Sequence, residues 1–227
     1  MTEAERYLAK ANDSLASARA DVRGRRYNSA ANRAYYAAFQ AAVAALIQAR
    51  IRPANQDWSH RFVMSQFSGR LIRRRKLLSS ALHPSLGELF NHRVRADYSS
   101  ENVSGRHARS AVDRAGKVVA EVSASSRQGA IRESRPGYGS ENMKTDRAVR
   151  AKARELIDEV QQMIRQKYPD CEFEVIERSP KDYRLIVRGD RADLEEIHRA
   201  LDGRTTDILV DHDVWIVILA EGKREAA

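Results

Sequence analysis

The chain has 227 residues, of which 42% are hydrophobic and 31% are charged, so full disorder is excluded and one large or two small domains are expected. A single cysteine, Cys171, excludes an intramolecular disulfide framework and a cysteine-rich zinc cluster, and no metal site or cofactor is predicted. The polar start is unlike a signal peptide, and the longest apolar stretch, residues 34–49, is interrupted by two glutamines. A soluble cytoplasmic protein without a membrane span is therefore expected.

The net charge of +9 is unevenly distributed along the chain. Residues 1–140 carry a balance of +13, whereas residues 141–227 carry a balance of −4. A stretch rich in Ser, Gly and Pro predicts a linker at residues 127–143, between a first domain at 1–126 and a second at 144–222. This asymmetry predicts an anionic partner for the first domain, or cover of the first domain by the second.

The first domain has the apolar periodicity of helices throughout. Five helices are predicted in chain order: one from the capping box of Thr2 and Glu5 to Gly24, one from about Ser29 to Ala49, one from Trp58 to Leu78, one opening at Pro84, and one carrying Val103 to Val122. Short connections between amphipathic helices predict an up-and-down helical bundle.

In the second domain the apolar residues no longer follow a helical period throughout, and strand-like segments appear. The predicted elements are a helix at about 145–168, strands at 173–176 and 183–187, a helix bearing Leu194, Ile197 and Leu201, and strands at 208–210 and 214–219. The order α-β-β-α-β-β predicts a small two-layer α+β domain.

Three segments of the first domain carry a family resemblance. They are Asn32 to Ala42 in the second helix, Ser59-His60 at the start of the third, and Arg93-Val94-Arg95-Ala96-Asp97-Tyr98 in the fourth. Together, over roughly residues 3–125, they resemble the small prokaryotic branch of the HEPN domain family. The resemblance implies a helical bundle that often dimerises, in a group rich in RNA-cleaving toxins and antiphage proteins. It therefore predicts a toxin-like protein that binds RNA or a nucleotide.

The resemblance also implies what a catalytic site would contain. Catalytic members of the family carry an Arg followed, after four to six residues, by a His, and cleave RNA without a metal. Here Arg93 is followed by Asp97 and Tyr98, and a tyrosine with a pKa near ~10 is a poor general base at neutral pH. This departure argues against ribonuclease activity. Two hypotheses stay open: a toxin-like protein that acts on RNA or another phosphate-bearing ligand, and a non-catalytic interaction or dimerisation module.

Four residues are candidates for catalysis, and each has a structural alternative. Arg93 is the predicted phosphate contact, but Arg93 and Asp97 at i and i+4 also suit an ordinary ion pair. Tyr98 also suits packing at the edge of the core. His60 is a displaced acid–base group or a histidine that makes structural hydrogen bonds at a helix start.

A second set of residues is predicted to bind a nucleic acid or another ligand. Its members are Arg33, Tyr36, Arg73, Arg74, Arg75, Lys76 and Arg95. Arg33 and Tyr36 share a polar stripe with Gln40, which either lines a ligand groove or faces a buried network. The basic run at 73–76 is either a solvated face or, given the +13 charge, a phosphate contact.

The second domain is similar to small α/β proteins encoded beside HEPN genes. This likeness implies a fused, antitoxin-like partner that restrains the first domain. Its acidic balance predicts docking on the basic bundle, with Trp215 and Tyr183 as the candidate apolar centre.

Overall fold

The computed structural model of the chain describes residues 1–53, 57–98, 102–129, 131, 146–189, 194–201 and 203–221. The chain divides into two compact units, Met1–Ser134 and Arg135–Ala227. Most of the linker predicted at 127–143 lies outside the described residues. Within them, none of the helices combines the length and the apolar character that crossing a membrane requires.

The first unit is built of helices, as the periodicity predicts. In chain order they are α1 (Glu3–Arg23), α2 (Tyr27–Gln48), α3 (His60–Gln66), a π-helical segment (Phe67–Arg74), a short 3-10 helix (Ser80–Leu82), α4 (Ser85–Tyr98) and α5 (Gly105–Arg127). The capping box of Thr2 and Glu5 starts α1, and Gly24 ends it. The predicted helical bundle is confirmed.

Helix α2 lies at the centre of this unit and contacts α1, α4 and α5. Thirteen of its residues are buried, and nine of these are alanines. Because alanine is small, neighbouring helices can approach α2 closely. The other four buried residues of α2 are larger: Tyr35, Phe39, Val43 and Leu46.

The sequence predicts one continuous third helix from Trp58 to Leu78, and the structure differs from this prediction. It begins at His60, where the Ser59 side chain accepts a hydrogen bond from the Phe62 N–H at 3.3 Å. From Phe67 the backbone continues as a π-helix, a rare conformation that often occurs at functional sites. The side chains of Arg73 and Arg74 are exposed at the end of this segment.

The second unit is a small α+β domain. Its elements are α6 (Asp146–Lys167), β1 (Glu172–Ser179), β2 (Asp182–Arg188), α7 (Leu194–Leu201), α8 (Arg204–His212) and β3 (Trp215–Glu221). Strand β2 is central, antiparallel to β1 and parallel to β3. Side chains from one face of the sheet, such as Leu185 and Ile218, form a core with Leu156 of α6 and Ile197 of α7.

The predicted strand at 208–210 is wrong. Ile208 and Leu209 are buried on α8, which follows Gly203 in the left-handed conformation at φ 79°. A short apolar run does not by itself distinguish a strand from a buried helical turn, and here the packing against α6 and β3 favours the helix. The element order is therefore α-β-β-α-α-β, while the α+β class is confirmed.

Tyr183 is also unavailable as part of a docking surface. It is 2% exposed and belongs to the core of its own unit. Its hydroxyl donates a hydrogen bond to the Pro180 carbonyl oxygen at 3.2 Å. Of the two aromatic candidates, only Trp215 keeps a partly exposed side chain.

Candidate functional site

Arg93 on α4 and His60 at the start of α3 meet in space although they are 33 residues apart. The Arg93 Nη1 atom lies 3.2 Å from the His60 Nε2 atom. The Ser59 cap fixes His60 in the first turn of α3, and the fully buried Leu89 holds α4 in the bundle. Because a guanidinium has only donors, Nε2 of His60 must be the acceptor in this contact.

The His60 ring lies among aromatic side chains. Its centroid is 5.1 Å from that of Phe39, 5.5 Å from that of Tyr35 and 5.4 Å from that of Phe90. Burial lowers the pKa of His60 below its usual 6.5, the positive charge of Arg93 lowers it further, and Asp57 opposes both effects. The imidazole is therefore neutral at pH 7, which is the state a general base requires.

The Arg93 guanidinium is held over three aromatic rings. Its Cζ atom lies 5.6 Å from the ring centroid of Tyr35, 5.2 Å from that of Tyr36 and 5.8 Å from that of Phe90. Such rings attract a cation through their electron-rich faces. Only 17% of the Arg93 side chain is exposed, so the charge sits at the rim of the bundle in a fixed position.

The ion pair expected from the spacing of Arg93 and Asp97 is present. Asp97 Oδ2 lies 3.3 Å from Arg93 Nε. The Asn32 amide of α2 donates to both carboxylate oxygens of Asp97, at 2.9 and 3.1 Å. Asp97 therefore orients Arg93 and ties α4 to α2.

The structure places the other predicted residues differently. Tyr36 lies beside Arg93, but Arg95 is two residues along α4, turned about 200° away, and is half-buried. Tyr98 is the last residue of α4, and its side chain lies outside the described part of the chain. Arg33 is exposed on α2.

The polar stripe predicted on α2 does not form one groove. The Gln40 amide is hydrogen-bonded to Ser14 Oγ of α1 at 2.9 Å, whereas Tyr36 faces Arg93 of α4. The stripe thus divides between two neighbouring helices, because residues at i and i+4 drift around the helix axis.

The basic run at the end of the π-helical segment is mostly open to solvent. Arg73, Arg74 and Lys76 are exposed. Arg75 instead donates a hydrogen bond to the Ala49 carbonyl oxygen at 3.4 Å, and its side chain is half-buried. Three of the four side chains therefore present positive charge on the surface.

Sequence reasoning did not single out several residues that complete the site. Tyr35 contacts His60, Asn32 contacts Asp97, and Phe39 and Phe90 enclose the imidazole. A signal for the α2 members was present, since Asn32, Tyr35, Tyr36 and Phe39 follow at spacings that place them on one side of a helix. What the sequence lacked was the identity of the helix that this side faces.

The chemistry of this site suits an anion. Arg93 supplies a delocalised positive charge with several N–H donors, and His60 supplies a neutral imidazole. Within the described residues, no group of three or more His, Cys, Asp or Glu side chains could hold a metal ion.

Residues 4–125, just over half of the chain, match the HEPN domain. The chain belongs to the HEPN domain family. The match spans α2, α3 and α4, the helices that carry Arg93, His60 and their neighbours. HEPN domains commonly dimerise and bind RNA. No curated protein matches the sequence.

Proposed function

We propose that this HEPN protein binds RNA and cleaves it without a metal, with Arg93 on the scissile phosphate and His60 as the general base. The observation that supports this is the contact between Arg93 Nη1 and His60 Nε2 at 3.2 Å. Residues 4–125, which match the HEPN domain, contain no Arg-x4-6-His motif, but α3 and α4 together bring an arginine and a histidine side by side.

The proposed reaction uses the 2′-hydroxyl of the RNA as the nucleophile. His60 Nε2 takes the 2′-hydroxyl proton, the O2′–P bond forms and the P–O5′ bond breaks. The products are a 2′,3′-cyclic phosphate and a 5′-hydroxyl, and the proton taken by His60 returns to the O5′ leaving oxygen. Arg93 stabilises the charge that develops on the phosphate oxygens.

The charge of the first unit supports RNA as the substrate. Residues 1–140 carry a balance of +13, and Arg73, Arg74 and Lys76 are exposed. Positive side chains that neutralise phosphates gain affinity by releasing condensed counterions. We therefore assign the exposed run to phosphate contacts away from the scissile bond.

The test uses the full-length protein, end-labelled single-stranded RNA and excess chelator. Wild type is expected to produce 2′,3′-cyclic phosphate ends. His60→Gln should lower the cleavage rate by about 10²–10⁴-fold while affinity changes little, since a general base contributes to the rate. Arg93→Ala should lower both the cleavage rate and the affinity for RNA. Lys117→Gln, an exposed change on α5, is the control. Absence of cleavage by the wild type contradicts the catalytic proposal.

A second candidate function is a non-catalytic RNA- or nucleotide-binding module that dimerises through the bundle. It is favoured by the fact that Arg93 already occupies His60 Nε2 and is paired with Asp97. In this case Arg93→Ala weakens binding and His60→Gln does not, with no cleavage in any variant. Light scattering of the same preparations measures the oligomeric state.

We further propose that the second unit restrains the first. The support is the opposite charge balance, +13 for residues 1–140 and −4 for residues 141–227. A protease site is inserted within residues 132–140, in the predicted linker, so that the two units can be separated by cleavage. If the proposal holds, the two fragments co-elute at low salt, separate at high salt, and RNA binding increases on separation. Fragments that elute separately at low salt contradict it.

A further inference from the structure

We infer that Tyr35 is a positioning residue that fixes His60 with its proton on Nδ1 and thereby presents Nε2 as the proton acceptor. The role of Nε2 in cleavage rests on the proposed function, but the position of the proton does not. The geometry that carries the inference is a line of three groups: the Tyr35 hydroxyl lies 2.6 Å from Nδ1, and Arg93 Nη1 lies 3.2 Å from Nε2.

The direction of each hydrogen bond follows from the chemistry of the groups. Arg93 has no acceptor, so Nε2 carries a lone pair. A neutral imidazole has one N–H, which must then be on Nδ1. That N–H has the Tyr35 oxygen at 2.6 Å, so Nδ1–H donates and the hydroxyl oxygen accepts. The reverse direction would leave the ring without any proton.

Tyr35 is well suited to hold this position. Its side chain has no exposed surface, and its ring packs against those of Tyr36, Phe39 and Phe90 at centroid distances of 5.5, 5.8 and 5.5 Å. Burial also raises the pKa of the Tyr35 phenol well above its usual value of 10.0, so the hydroxyl stays neutral. The packing of its ring therefore holds the Tyr35 oxygen beside His60 Nδ1.

The need for such a residue appears when RNA binds. Arg93 contributes to the proton position only while it donates to Nε2. A phosphate that draws the guanidinium away leaves Nε2 open to the 2′-hydroxyl, and the Tyr35 oxygen then remains beside Nδ1 as the acceptor for the Nδ1–H.

The test is ¹⁵N NMR of full-length protein labelled at histidine, in which the two nitrogen shifts report which one carries the proton. Comparison with His60→Gln identifies the His60 signals among those of the six histidines. Wild type is expected to show the Nδ1–H form. In Tyr35→Phe, the ratio of the Nδ1–H to the Nε2–H form should fall by about fivefold, the effect of one lost hydrogen bond.

A matched control separates the hydroxyl from the general effect of a buried Tyr→Phe change. Tyr183→Phe removes a buried hydroxyl that is bonded to Pro180 in the other unit, so the His60 shifts should not move. If wild type shows the Nε2–H form, or if Tyr35→Phe leaves the ratio unchanged while the protein is folded, the inference is wrong. Where cleavage is detected, Tyr35→Phe should lower kcat by a similar factor with KM unchanged. An unchanged ratio of the two tautomers in folded Tyr35→Phe overturns the inference whether or not the protein cleaves RNA.

Discussion

His60 Nε2 accepts a hydrogen bond from Arg93 Nη1 at 3.2 Å, across 33 residues of sequence. The contact joins two groups whose charges affect each other. The guanidinium is permanently positive, so it disfavours the protonated imidazole and helps to keep His60 neutral. Arg93 is thereby suited to binding a phosphate, and His60 is suited to accepting a proton.

Replacing Arg93 with lysine separates the charge of this residue from its shape. Lysine keeps a positive charge but loses the planar fork of N–H donors that can bind two phosphate oxygens at once. Arg93→Lys is expected to keep most of the RNA affinity and to lower the cleavage rate at least tenfold, measured with labelled RNA under single-turnover conditions. Equal rates for the two proteins would show that the fork has no part in the reaction.

The lowered pKa of His60 predicts a dependence of stability on pH. The unfolded chain binds a proton at His60 below about pH 6.5, whereas the folded protein resists it, so this contribution to stability is lost as the pH falls below that value. Thermal unfolding at pH 7.5 and 5.0 measures the effect. His60→Gln should lose less stability than wild type between the two pH values. An equal loss in both proteins would assign the effect to other groups.

The exposed basic run predicts a change in the salt dependence of RNA binding. A triple change of Arg73, Arg74 and Lys76 to Gln should reduce the slope of log K against log salt by about 2, at roughly 0.7 for each phosphate contact on a single strand. The matched control changes three other exposed basic residues, Lys10, Arg109 and Lys117. Equal slopes in the two triple variants would indicate that the charge acts without a defined contact surface.

Phe90 links the stability of the bundle to the site. It is 7% exposed, and its ring contacts those of Tyr35 and His60. Phe90→Ala should lower the free energy of unfolding by about 3–5 kcal/mol, as measured by denaturant titration. Phe90→Leu keeps most of the apolar volume and should cost less. A loss below about 1 kcal/mol for the alanine variant would mean that the site collapses around the missing ring.

The sequence by itself determined the bundle, because its helices are long and strongly periodic and carry their own start and stop signals, such as the Thr2–Glu5 box and Gly24. It also determined the Arg93–Asp97 pair, which depends only on positions within one helix. The sequence did not determine the secondary structure of residues 208–210, because a three-residue apolar run fits a strand or a helix equally well. The packing against neighbouring elements selects the helix.

Only the tertiary structure decided that His60 meets Arg93 and Tyr35. Helical periodicity fixes which side chains share a face, but it does not state which face of another helix lies opposite. That depends on how α3 and α4 pack against the alanine-rich α2, where close approach places an imidazole between a guanidinium and a phenol. A histidine on α3 thus lies beside the arginine of α4, through contacts that form only when the helices are packed together.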